Sequence, residues 1–189
     1  MRIGIFGGAF DPVHLGHLIT AEQAREQGRL DQVWFLPTFQ PPHKSRSLTP
    51  FHHRVEMLEL AIAGHEAFRV NTLEKERAGP SYTVDTLRLL KEKHPTEEFH
   101  LIVGGDCVPD LPSWRDPQGI AAQADLVVVS RPDTPAQEPP AYFRWQRIDT
   151  LLIQISSTDI RQRLSQRQTI RYLVPRAVEC YLTQHKLYG

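Results

Sequence analysis

Short apolar runs alternate with helix-periodic segments along all 189 residues, and this alternation constrains the fold more than any other feature. Runs at 3–6, 33–36, 68–71, 100–103, 126–129 and 151–155 predict strands. Segments 14–27, 50–63, 83–93, 117–123, 158–165 and 175–185 predict helices. Val55, Leu58 and Ile62 recur at helical spacing in the second, and Val174, Val178 and Leu182 in the last. Pro50 and Pro175 suit the first helical position, where a missing N–H costs nothing. Strands that are apolar throughout need cover on both sides. The prediction is therefore an α/β fold, a doubly wound and mainly parallel sheet with helices on both faces, as a single domain over residues 1–189. In such folds ligands collect at the carboxyl ends of the strands, where the strand order reverses.

The first strand ends in the richest chemistry of the chain. Gly7 and Gly8 let the backbone turn and approach a ligand where a side chain would collide. His14 and His17 follow as a helix begins, with Gly16 between them. Their spacing puts both imidazoles on one helical face, beside the N-terminal amides and the positive dipole end. Such a place attracts anions, phosphate above all. The attraction has to be local, because 22 Lys+Arg balance 22 Asp+Glu. No net field draws nucleic acid or a membrane surface. Cys107 and Cys180 form neither a CxxC nor a metal-finger pattern, which suits a reducing compartment. The apolar run at the start is too short for a signal peptide and no later run could span a bilayer, so a soluble, cytoplasmic protein is expected. Proline-rich passages at 37–44 and 131–140 read as semi-rigid loops.

Gly7-Gly8-Ala9-Phe10-Asp11-Pro12-Val13-His14-Leu15-Gly16-His17 looks like the HxGH signature of nucleotidyltransferases. Ile155-Ser156-Ser157-Thr158-Asp159-Ile160-Arg161 resembles the ISSTxxR element of the same superfamily, and the two occur in the expected order. With Pro41-Pro42-His43-Lys44, Gly79-Pro80-Ser81-Tyr82-Thr83, Gly104-Gly105-Asp106 and Ile170-Arg171-Tyr172-Leu173-Val174-Pro175, nearly the full length resembles the bacterial nicotinate mononucleotide adenylyltransferases. The resemblance implies a Rossmann-like fold. It also implies transfer of the adenylyl group of ATP to nicotinate mononucleotide, giving deamido-NAD and pyrophosphate in NAD biosynthesis. Mg²⁺ would arrive with ATP, held mainly by phosphates, with no metal site on the protein; a homo-oligomer is left open. One departure stands out: Ser165-Gln166-Arg167-Gln168 occupies a turn where the family usually has a glycine.

A phosphate monoester is already a nucleophile at neutral pH, so this reaction needs alignment and charge neutralisation rather than a general base. The residue types suit that work. The resemblance sets His14 and His17 on the α- and β-phosphates, and Arg161 offers a fixed fork of donors to the β/γ end. Ser156, Ser157 and Thr158 bring hydroxyls and amides at a helix start. The resemblance extends ATP binding to Gly7, Gly8, Phe10, Lys44, Gly104, Asp106 (on the ribose) and Arg131. It assigns nicotinate mononucleotide to Ala9, Phe10, Lys44, Tyr82, Thr83 and Trp114, whose ring would stack on the pyridine. Ser81 or Thr83 can cap the following helix, leaving nearby amides that favour a pyridine carboxylate over an amide.

Plain alternatives stand beside each reading. The histidines could be a metal pair or ordinary helix-face residues, segments 81–83 and 156–158 mere caps, and 104–106 a simple turn. Trp114 could belong to the core, and Lys44 to a solvated loop. His52, His53, His65, His94 and His185 read as surface or helix-end residues, and Cys180 as core along with the Val174-Val178-Leu182 stripe. Among other functions, phosphopantetheine adenylyl transfer shares the HxGH logic but lacks the Pro-Ser-Tyr-Thr and Ile-Arg-Tyr-Leu-Val-Pro segments. A dinucleotide-binding sensor or oxidoreductase would want GxGxxG, which the first turn does not supply. A metal-dependent hydrolase would hold zinc or manganese tightly.

Overall fold

The computed structural model describes residues 1–41, 47–77, 79–130, 137–151 and 153–189. Six strands, β1 (Arg2–Gly8), β2 (Gln32–Pro37), β3 (Phe68–Val70), β4 (Glu98–Gly104), β5 (Ala124–Ser130) and β6 (Trp145–Asp149), form one sheet ordered β3-β2-β1-β4-β5-β6. Every pairing is parallel, with Ile3 opposite Gln32 on one side of β1 and opposite Phe99 on the other. The helices are α1 (Leu15–Gln27), α2 (Phe51–Ile62), α3 (Thr83–Lys93), α4 (Pro117–Ala121), α5 (Ser157–Ser165) and α6 (Arg176–Gln184). Pro50 and Pro175 stand one position before their helices rather than inside them.

The strands are apolar throughout because alternate side chains enter two different cores. Val33, Phe35, Ile102, Val127 and Ile148 pack against Ala21 and Ala24 of α1, Met57 and Leu58 of α2, Ile160 of α5, and Val178 and Leu182 of α6. Ile5, Leu36, Leu101, Val103 and Val128 face the other way, under Val84, Leu87 and Leu90 of α3 and Ile120 of α4. The strand order reverses between β1 and β4, which opens a crevice at their carboxyl ends. Gly7, Gly8 and Gly104 all end there.

Two expectations need correcting. Of the run 151–155, the described residues, 151 and 153–155, form no strand; the sixth strand is Trp145–Asp149, paired to β5 with Leu126 opposite Trp145. It runs along the sheet edge and buries only Ile148, so it lacks the apolar run that marks the inner strands. Leu151 is 64% exposed, and Ile155 packs partly on the core as the chain enters α5. Cys180 is exposed, not core: α6 turns it outward while Val178 and Leu182 face in. Among the described residues, no helix is long and apolar enough to cross a membrane.

Candidate active site

His14 is the N-cap of α1 in an extended conformation, and His17 sits one turn on. Their rings stack at 3.6 Å between centroids, 26° apart. The His14 amide donates to His17 Nδ1 at 3.2 Å, so the neutral His17 ring carries its proton on Nε2, as a donor. Burial lowers the His14 pKa to about 4. Burial, and next the neighbouring His14, hold His17 well below the usual imidazole range. Both rings are therefore neutral near pH 7. Of the amides at the start of α1, Leu15 N–H is already taken by Leu173 O at 2.9 Å.

Two clefts flank this point. The larger, about 600 Å³, is lined by Gly7, Gly8, His17, Thr38, Glu74, Ser81, Thr83, Gly104, Asp106, Cys107 and Trp114. The smaller, about 210 Å³, is lined by Gly16, Thr20, Val129, Ser130, Thr150 and Ile153. They share Phe6, Ile102 and Gly104. Among the described residues nothing lies within 4 Å of the place a Cβ on Gly7 would occupy, which leaves the backbone there open to a ligand. A Cβ on Gly104 would meet Asp106 Oδ1 at 2.3 Å, so a side chain there would displace that carboxylate from its place at the cleft. Burial first, then Asp106 and Asp110, raise the Cys107 thiol, which stays protonated in the larger cleft.

From the far end of the chain, the first turn of α5 docks on the loop that leads to His14. Ser157 Oγ donates to Pro12 O at 2.9 Å, and Arg161 Nη1 to Asp11 O at 2.7 Å. Arg161 Nη2 also donates to Thr158 Oγ1 at 3.0 Å. Ser156 is the helix cap: its hydroxyl accepts from the Asp159 amide and donates to the Asp159 carboxylate. The serine and threonine hydroxyls thus hold protein first, and α5 presents the Arg161 guanidinium beside the histidine loop.

Other expected residues fall differently. Phe10, at a left-handed φ of 47° and 2% exposed, is a plug packed edge-on to Phe6 and His17. Ala9 contributes its carbonyl to Arg54. Trp114 is half-buried, leaning on the core while lining the larger cleft. Tyr82 is the N-cap of α3, its ring under the Arg115 guanidinium at 4.5 Å, and is not among the residues lining that cleft. Neither Ser81 nor Thr83 caps α3 as expected; Ser81 Oγ instead accepts the Gln40 amide at 3.1 Å. Among the described residues, no side chain caps the α3 start. Lys44 and Arg131 lie outside the described residues.

Sequence reading missed three groups. Arg54, 1% exposed, donates to Thr49 O, Ala9 O and Thr38 O at 2.9, 2.8 and 2.8 Å. Its signal was available: an arginine four positions before Leu58, on the buried stripe of α2. Glu74 joins the Phe39 amide to the Thr86 hydroxyl at the cleft rim. Asp11, fully buried, accepts from the Tyr188 hydroxyl and from the Thr49 amide at 3.5 Å. Among the described residues, no group of three or more His, Cys, Asp or Glu could hold a metal ion.

The sequence model of the cytidylyltransferase-like family matches residues 5–163. A probable nicotinate-nucleotide adenylyltransferase of Oceanobacillus iheyensis is 44% identical, over 100% of this chain and 97% of its own length. One from Thermus thermophilus is 45% identical over 100% of both chains. Among solved structures, the nicotinic acid mononucleotide adenylyltransferase of Plasmodium falciparum, complexed with NaAD, superposes with a TM-score of 0.82 at 22% identity, covering 99% of this chain and 97% of that one. That likeness concerns the fold.

Proposed function

The chain belongs to the nicotinate-nucleotide adenylyltransferases of the cytidylyltransferase-like family, and from that footing we propose how its residues divide the reaction. The enzyme transfers the adenylyl group of ATP to nicotinate mononucleotide, giving nicotinate adenine dinucleotide and pyrophosphate in NAD biosynthesis. The observation that carries the residue assignment is the docking of Ser157 and Arg161 on the Asp11 and Pro12 carbonyls, directly before His14. It brings a permanent cation from α5 to the loop that leads into His14.

The triphosphate lies over this junction. His17 donates through Nε2, and Arg161 takes up the charge that grows on the departing pyrophosphate. His14, stacked on His17, holds that ring in place and adds a second donor. Adenosine enters the smaller cleft, and its ribose reaches past Gly104, which both clefts share, to the Asp106 carboxylate on the larger-cleft side. The mononucleotide fills the larger cleft, its pyridine against Trp114. Its carboxylate meets the uncapped amides that begin α3, a partial positive charge that a neutral carboxamide exploits less well. Hydrogen bonds to an ionised group are worth about 1.5–3 kcal/mol, so the acid is preferred by about one to two orders of magnitude. Lys44 and Arg131 are proposed as further cations toward the phosphates.

Mg²⁺ would come with ATP, keeping several waters and binding mainly through the phosphates, since among the described residues no group of three or more His, Cys, Asp or Glu could hold it. It would neutralise phosphate charge.

The test offers nicotinate mononucleotide, nicotinamide mononucleotide and phosphopantetheine in turn with Mg-ATP and reads pyrophosphate release. The expected order puts nicotinate mononucleotide first. Fastest turnover of phosphopantetheine, or binding with no pyrophosphate released, overturns the reading.

A further inference from the structure

We propose that Tyr188 is a positioning residue for adenylyl transfer, acting through Asp11 on the loop that carries the catalytic histidines; the inference rests on the function proposed above. The loop between β1 and α1 has little regular structure of its own, yet side chains from distant segments grip it. Arg54 of α2 holds Ala9 O, Arg161 of α5 holds Asp11 O, and Ser157 holds Pro12 O. The carboxylate of Asp11 is the remaining handle. It is fully buried, and the Tyr188 phenol donates to Oδ1 while the Thr49 amide reaches Oδ2. The segment after α6 and the residue just before the α2 N-cap thus meet at one carboxylate, on the residue whose carbonyl anchors Arg161.

The backbone supports a specific role for this tyrosine. Tyr188 has φ of 66°, a left-handed conformation that an aromatic side chain rarely adopts. Leu187 and Tyr188 pack on the core beneath α2 and α6, which aims the hydroxyl at Asp11. Burial first, and the Asp11 contact next, push its pKa upward. The group is therefore a hydrogen donor throughout the working range, and a permanent tie rather than a proton carrier.

Without the hydroxyl the ring still fills its place, but the Asp11 carboxylate loses its phenol donor. The carboxylate then turns, and Arg161, anchored on the carbonyl of the same residue, shifts with it. Small misplacements of charge at a phosphate cost rate rather than affinity for the other substrate.

The experiment compares the full-length wild type, Tyr188→Phe, Asp11→Asn and the double variant, varying each substrate in turn and measuring Tm. For Tyr188→Phe we expect kcat/KM for ATP to fall about tenfold. KM for nicotinate mononucleotide should stay within about twofold of wild type and Tm within a few degrees. On the Asp11→Asn background the same change should add less than about twofold, because the two act as one unit. Wild-type kinetics in Tyr188→Phe overturn the inference. So does a loss of activity that merely tracks a fall in Tm, or full additivity with Asp11→Asn. If Asp11→Asn does not fold, a fall in kcat at unchanged Tm and unchanged KM for nicotinate mononucleotide in Tyr188→Phe decides alone. Failure of the wild type to make the dinucleotide would instead sink the assigned function.

Discussion

A methyl group added at Gly16 would lie 3.0 Å from His14 Nδ1 and 3.1 Å from its Cε1, inside ordinary contact distance. The His14 ring cannot retreat freely, because His17 is stacked on it. Gly16→Ala therefore tilts or unstacks the imidazoles, and it also narrows the smaller cleft that Gly16 lines. Helix propensity pulls the other way, favouring alanine by up to about 1 kcal/mol. The expected outcome is a Tm close to wild type with kcat down about tenfold or more. Unchanged turnover would mean that the rings have slack, against the geometry. The glycine and both histidines were legible in the sequence because their contacts are local, within one helical turn. Asp11, Arg54 and Tyr188 were not. Asp11 meets a phenol 177 residues away, and Arg54 grips carbonyls up to 45 residues away; no local pattern encodes either. Only the placement of Arg54 on an apolar stripe hinted that it was buried.

Three helices end in the same way, and none uses glycine at the position that usually demands it. After α5, Arg167 takes φ of 56°, its amide bonding Leu164 O at 2.9 Å while Gln168 N–H bonds Arg163 O at 2.8 Å. Arg29 at φ 52° closes α1 with the matching pair, to Glu26 O and Arg25 O, and Lys186 at φ 50° closes α6. Each is a Schellman turn with a basic residue in the left-handed place. The cation sits at the negative end of the helix dipole, which offsets part of the conformational cost. The missing glycine at Arg167 thus leaves the turn's shape intact. Arg167→Gly should stabilise by about 0.5 kcal/mol, relief of strain outweighing lost charge and added unfolded-state freedom. Arg167→Ala loses the charge and relieves nothing, so it should destabilise. Urea midpoints of the two variants check this, and equal shifts would show that strain is not the controlling factor. Legibility varies in the same physical way among strands. The inner strands announced themselves because two cores demand apolar residues on both faces, whereas β6, with one buried side chain, gave no such signal.

Across the whole molecule, the reversal of strand order sets two clefts side by side and buries two imidazoles where a polyanion is to bind. Holding those imidazoles neutral has a consequence for stability. The His14 pKa is lowered from 6.5 to about 4 in the folded state, and burial lowers His17 in the same direction. Above pH 6.5 both states carry neutral rings, and the contribution is constant. As pH falls below 6.5 the unfolded chain takes up protons that the folded protein refuses. Stability therefore declines until about pH 4, where His14 in the folded state also titrates. For His14 alone the shift amounts to about 3 kcal/mol, and His17 adds to it. His100 and His53, lowered chiefly by burial, contribute in the same sense, so His14→Asn should flatten the profile only in part. Saturating Mg-ATP should work against the acid effect, because phosphates beside the rings favour the imidazolium that the empty site resists. Urea unfolding at pH 7 and pH 5, with and without Mg-ATP, measures all of this. The gain from nucleotide should be larger at pH 5 than at pH 7, once titration of ATP itself is subtracted. A gain equal at both values would separate the imidazoles from the phosphates and dissolve the link between the buried pair and the triphosphate.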